Sequence, residues 1–143
     1  MTMATIRTLV IDDDISMLAY VRAALSAHGH TVFCSSDGDH AVKIAQRHSV
    51  HLVITDMLMP NTDGLGVVTR LRELLPQVAV VVMSGGSDII PKDYSLSLAR
   101  LGGARRTLTK PFRVPELLTA VNQALEEANR EAQIDAAALS AEA

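Results

Sequence analysis

A chain of 143 residues, 48% of them hydrophobic, is long enough to bury a core of its own as one domain without disulfide or metal staples. Its net charge of −3 lacks the basic excess of a nucleic-acid-binding protein, and 3% aromatic content with no Trp leaves few stacking platforms, so no direct DNA binding is expected. No apolar run reaches the roughly 18 residues of a membrane span. Arg7 interrupts a short apolar start that is not a signal peptide, and the single Cys34 suits a reducing compartment; the expected location is cytoplasmic, away from membranes.

The first predicted strand is "TIRTLVI", Thr5–Ile11, and it runs into "VIDDD". Asp14 is placed to cap a helix whose buried face holds Leu18, Val21 and Leu25. Gly29 then stands where a left-handed C-cap is wanted. His30–Ser35 is the second strand, and a second helix precedes the third strand, His51–Thr55. Strands one, three and four (Val78–Met83) are nearly continuous β-branched runs, as strands covered on both faces are. Between the last two, Val67, Val68, Leu71 and Leu75 share one helical face. Pro91 opens a fourth helix through "YSLSLARL", stopped by Gly102-Gly103. Arg105–Thr109 is the fifth strand, and Pro115 opens a fifth helix with Leu117, Leu118, Val121 and Leu125 on one face. The Ala/Glu-rich end is expected to extend that helix and then fray, with a domain over 1–130 and a tail over 131–143.

Strand and helix therefore alternate five times. That pattern predicts an α/β fold, a doubly wound parallel sheet with helices on both faces. In such sheets ligands bind beyond the C-terminal strand ends. The first strand delivers Asp12 and Asp13 there, and the third delivers Asp56. Two carboxylates about 4 Å apart repel by about 4 kcal/mol at an effective dielectric near 20. Three together need a cation or must take up protons, and all-oxygen ligation by few protein groups suits Mg²⁺. Strands four and five end in Ser84 and Lys110. A carboxylate set among metal, hydroxyl and ammonium is a nucleophile toward phosphorus.

"VIDDD", "VITDMLMPNTDG", "VVMSGG" and "TLTKPF", in this order, make the chain resemble the receiver domain of two-component response regulators from Thr5 to Glu127. The resemblance implies a flavodoxin-like sheet of order 2-1-3-4-5 flanked by five helices. It implies Asp56 as phosphoryl acceptor, and Mg²⁺ on Asp12, Asp13, Asp56 and the Leu58 carbonyl. Ser84 resembles the hydroxyl that reads the phosphoryl group, and Lys110 its counter-charge. The implied donor is a sensor histidine kinase or a histidine phosphotransfer protein. A downstream protein would dock on the face of the fourth helix, fifth strand and fifth helix, or a phosphorylation-dependent homodimer would form. Such a protein catalyses only its own phosphorylation and dephosphorylation.

Three features depart from the family pattern. Thr107 stands where receivers commonly carry an aromatic partner to the hydroxyl switch at Ser84, with Tyr94 as a substitute. "IIPKDY" lengthens the interval from Ser84 to Lys110. Little follows "KPF" but one helix and a tail, as in a stand-alone receiver. An enzyme is the rival reading: "DDDIS" loosely mimics the nucleophile loop of a haloacid-dehalogenase-type phosphohydrolase, with Asp12 attacking. Five histidines lack ligand spacing and read as surface groups near helix ends. Arg100, Arg105, Arg106 and Arg113 are either solvated charges or part of a docking face.

Overall fold

A computed structural model describes residues 5–59, 62–85 and 105–142, and the side chains of these except 58, 59, 62–65, 105 and 142. In chain order the elements are β1 (Arg7–Ile11), α1 (Ile15–Ser26), β2 (Thr31–Ser35), α2 (Gly38–His48) and β3 (Leu52–Asp56). Then come β4 (Leu58–Met59), β5 (Thr62–Asp63), α3 (Gly64–Leu74), β6 (Ala79–Gly85), β7 (Arg105–Lys110) and α4 (Val114–Glu142). The five long strands form one parallel sheet of order β2-β1-β3-β6-β7, the predicted 2-1-3-4-5. The four helices of the described residues include the predicted first and third and, as α4, the predicted fifth. The predicted fourth helix, with Pro91, Tyr94 and Gly102-Gly103, lies outside the described residues, as do "IIPKDY" and Arg100.

The continuous apolar strands behave as buried sheet centres should. Every residue of β3 is buried, because both of its faces are covered. Alternation then sorts the core into two layers. Val10, Ile54, Val81 and Met83 meet α1 and α4 through Val21, Leu25, Leu117 and Val121. Leu9, Ile11, Val53 and Val82 meet α2 and α3 through Ala41, Ala45, Val68 and Leu71. The expected helix faces are thus the ones that pack.

Local signals set the ends. Asp14 caps α1, its carboxylate accepting from Ser16 N–H at 2.9 Å. Gly29 takes the left-handed conformation after that helix, at φ +88°, where a side chain would be strained. Strand boundaries shift by one or two residues from expectation. Asp56, Ser84 and Lys110 lie inside their strands, because the parallel ladder runs on to pair Asp56 with Met83, Ser84 with Thr109 and Gly85 with Lys110. The short antiparallel pair β4–β5 was not expected, since two residues per strand carry no periodicity. The Ala/Glu-rich end is helical as far as Glu142 rather than frayed; alanine has the highest intrinsic helix propensity, and six of residues 126–142 are alanine. Among the described residues no helix is long and apolar enough to cross a membrane.

Candidate functional site

The C-terminal ends of β1, β3, β6 and β7 lie side by side, and the acids arrive there by backbone constraint. Asp12 follows β1 directly; its N–H donates to the Ser35 carbonyl at 3.1 Å, which carries the β1–β2 ladder one residue further. Asp56 closes β3 beside Met83, and the next N–H, of Met57, donates to the Met83 carbonyl at 2.9 Å. Asp12 is fully buried, Asp56 nearly so, and Asp13 is exposed. One carboxylate oxygen from each lies within 4.8 Å of those of the other two.

Lys110, the last residue of β7, reaches into this cluster. Its Nζ is 2.9 Å from Asp12 Oδ2 and 3.5 Å from Asp56 Oδ1. Burial alone would lower the pKa of this amine. The hydrogen bond and charge of Asp12, then those of Asp56, outweigh burial and hold it above the ordinary lysine value. The ammonium is therefore fully charged at neutral pH. Three carboxylates against one ammonium leave an excess of two negative charges (3 − 1) in the cluster. Hard oxygen donors with that excess fit a small divalent cation such as Mg²⁺.

Ser84 is buried near the end of β6, one residue past the partner of Asp56. The Leu58 backbone lies in β4, two residues beyond Asp56. Thr107 is exposed on β7 opposite Val82, set back along the strand from Lys110 and apart from the carboxylates. Asp12, Asp13, Asp56 and Lys110 thus come together, Ser84 adjoins them, and Thr107 does not.

Asp12 is poorly placed as a nucleophile. Its Oδ1 accepts from Asp14 N–H at 3.0 Å and its Oδ2 from Lys110 at 2.9 Å, and solvent does not reach it. The phosphohydrolase reading is not favoured on this ground. The described histidines are otherwise occupied. His28 bonds the Ala24 carbonyl, His30 bonds Thr8, His40 bonds Ser35, His48 stacks on Phe33, and His51 accepts from Arg7 N–H. Arg106 pairs with Glu127, which makes it a strut between β7 and α4 rather than a free charge.

One contributor has no signal in the sequence. Tyr20, on α1, donates its hydroxyl to the Phe112 carbonyl at 3.1 Å, and the two rings pack with centroids 5.8 Å apart. Phe112 is two residues past Lys110, so Tyr20 braces the turn from which the ammonium is aimed. Its contact spans 92 residues of chain, which no local pattern can report.

Comparison with known proteins agrees with this geometry. A match to the family described as Response regulator receiver domain covers residues 8–122, which include Asp12, Asp13, Asp56, Ser84 and Lys110. The transcriptional regulatory protein TcrA of Mycobacterium tuberculosis is 34% identical over 112 residues, covering 78% of this chain and 43% of that protein. The response regulator MprA of Mycobacterium sp. (strain KMS) is 29% identical over 134 residues, covering 94% of this chain and 56% of that one. This chain spans about half the length of these curated relatives. A solved response regulator receiver domain protein from Clostridium thermocellum superposes with a TM-score of 0.74 at 27% identity, covering 90% of this chain and 98% of its own. Relatives such as TcrA are transcriptional regulators, so the expectation that excluded DNA binding is not supported. On the family match and the relatives together, the chain belongs to the response regulator receiver domain family of two-component signalling.

Proposed function

We propose that this chain is a phosphoacceptor of a two-component phosphorelay, taking a phosphoryl group from a phosphohistidine onto Asp56. One observation carries the reading: Lys110 Nζ lies 2.9 Å from Asp12 and 3.5 Å from Asp56 at the edge of a three-carboxylate cluster. In the transfer an Asp56 oxygen attacks phosphorus. A P–O bond forms, the P–N bond breaks, and the imidazole of the donor kinase or phosphotransfer protein leaves with the electron pair and takes up a proton. Asp12, Asp13, Asp56 and the Leu58 carbonyl are the groups that would hold Mg²⁺, which when bound neutralises charge on the transferred oxygens.

Lys110 pairs with the acceptor before transfer and stands within reach of a phosphoryl oxygen afterwards. Ser84 supplies a hydroxyl donor to another. The added charge biases the surface of the predicted fourth helix, β7 and α4 toward a state that a downstream partner or a second copy prefers. No catalysis is proposed beyond the chain's own phosphorylation and dephosphorylation, and the proposed setting is the cytoplasm. To test this, the chain is incubated with a small acyl phosphate and Mg²⁺, and the modified residue located by mass spectrometry. Phosphate on Asp56, abolished in Asp56→Asn, is the expected result. Label on Asp12, or none on the wild type, overturns it.

A further inference from the structure

The end of the molecule opposite the carboxylates carries a feature that the phosphoacceptor reading does not use. There a groove of about 480 Å³ opens between α4 and the loops that feed the strands. Leu125, Ala128 and Ala132 form one wall, and Leu74, Leu75 and Val78 the other. Leu74 is 42% exposed, so its side of the groove is open to solvent. Past the groove α4 continues to Glu142 and presents Leu139 to water at 70% exposure.

Spacing and charge on this helix are complementary to the groove itself. Leu125, Ala132 and Leu139 follow one another at intervals of seven residues, two turns each, and so share a face. If two such helices run antiparallel about Ala132, Leu139 of each falls opposite Leu125 of the other. Small Ala128, Ala132 and Ala136 then lie at the crossing and allow close approach. Residues 131–142 contain Glu131, Asp135 and Glu142 and no Lys or Arg. The groove receiving them carries Arg7 on its lining and, among the described residues, no acid. Like spacing on both copies and unlike charge across them are the requirements of an isologous contact.

We propose that this groove binds the C-terminal helix of a second copy of the chain, making an antiparallel two-fold dimer with Leu139 of each protomer seated beside Leu125 of the other. The contact does not require phosphorylation.

The test uses the full chain with Cys34→Ser as background. Because Ala132 lies on the axis, Ala132→Cys brings two thiols within the Cα separation of less than about 7 Å that a disulfide needs. Mild oxidation is expected to cross-link Ala132→Cys, and to leave Gln133→Cys and Leu139→Cys without a covalent cross-link. Sedimentation equilibrium is expected to show a dimer for the wild type and a monomer for Leu139→Glu. That variant alters an exposed residue, so its melting temperature as a monomer reports whether the domain is intact. A wild type that is monomeric at every concentration overturns the proposal, as does a dimer that survives Leu139→Glu. Self-cross-linking of Leu139→Cys would mean a parallel pair and overturns it too.

Discussion

Asp13 is exposed where Asp12 and Asp56 are buried, so the roles of the three acids can be separated by substitution. Asp13→Asn removes one charge from the cluster without opening a cavity. If the cluster holds Mg²⁺, the wild type gains melting temperature as the ion is added, because binding to the folded state alone stabilises it by mass action. Asp13→Asn is expected to lose most of that gain; an unchanged gain, read by thermal scanning, sinks the assignment. Tyr20 offers a contrasting case. Tyr20→Phe keeps the ring against Phe112 and deletes a hydrogen bond whose net worth is about 1 kcal/mol. Phosphorylation of Asp56 by a small phosphodonor is expected to slow by about three- to tenfold, since a 1.4 kcal/mol rise in barrier is tenfold. The Mg²⁺-dependent gain should stay as in the wild type, and a rate equal to wild type removes Tyr20 from any positioning role. The acids were legible in the sequence because each ends an apolar strand, while Tyr20 was not, because its partner is distant along the chain.

The elements differ in how much of their stability is written locally. β3 is a central strand with Ile54 fully buried between β1 and β6. Ile54→Ala should cost about 2–5 kcal/mol through lost burial and a cavity, measurable by urea unfolding; a loss below 1 kcal/mol would mean that the two core layers collapse onto the gap. α2 depends on its first turn instead. Asp37 Oδ1 accepts from Asp39 N–H at 2.8 Å and from His40 N–H at 3.4 Å. Asp37→Ala is expected to destabilise by about 1 kcal/mol and Asp37→Asn by less, because asparagine still caps; equal losses would show that charge rather than capping matters. All five long strands were legible, since β-branched runs bounded by turns and acids have few other readings. The β4–β5 pair was not, because its two-residue strands are specified by mutual backbone pairing.

At the scale of the whole molecule, the sheet has a charged top and a histidine-bearing bottom. His51 and His30 sit where strands begin, and both pKa values lie below the ordinary histidine range. The cause is burial first, with the charge of Arg7 added at His51 and that of His28 at His30. His51 Nδ1 also accepts from Arg7 N–H at 3.0 Å, which a proton there would abolish. Unfolded histidine takes up its proton near pH 6.5, and the folded chain does so only lower. The stabilisation is therefore complete above about pH 6.5 and is lost as pH falls through the folded values. Urea midpoints should drop as pH falls below about 6.5, and the drop should shrink in His51→Asn, whose side-chain oxygen can replace the Nδ1 acceptor. A midpoint that holds level across this range, or an undiminished drop in the variant, would count against the assignment.

Only Pro111, Phe112 and Arg113 separate Lys110 from α4. The helix is gripped by the sheet through Leu117, Val121 and Ala124, and beyond them its described side chains are only partly buried or exposed. From Ala124 to Glu142 the rod extends about 27 Å at 1.5 Å per residue. Pivoting by about 4° at Ala124 carries its tip by about 2 Å, while the buried side chains at the fulcrum move by a small fraction of that. α4 thus has the proportions of a lever arm, its short end beginning four residues past Lys110. A displacement too small to disturb the core where it originates reaches its largest amplitude at the far tip of the molecule.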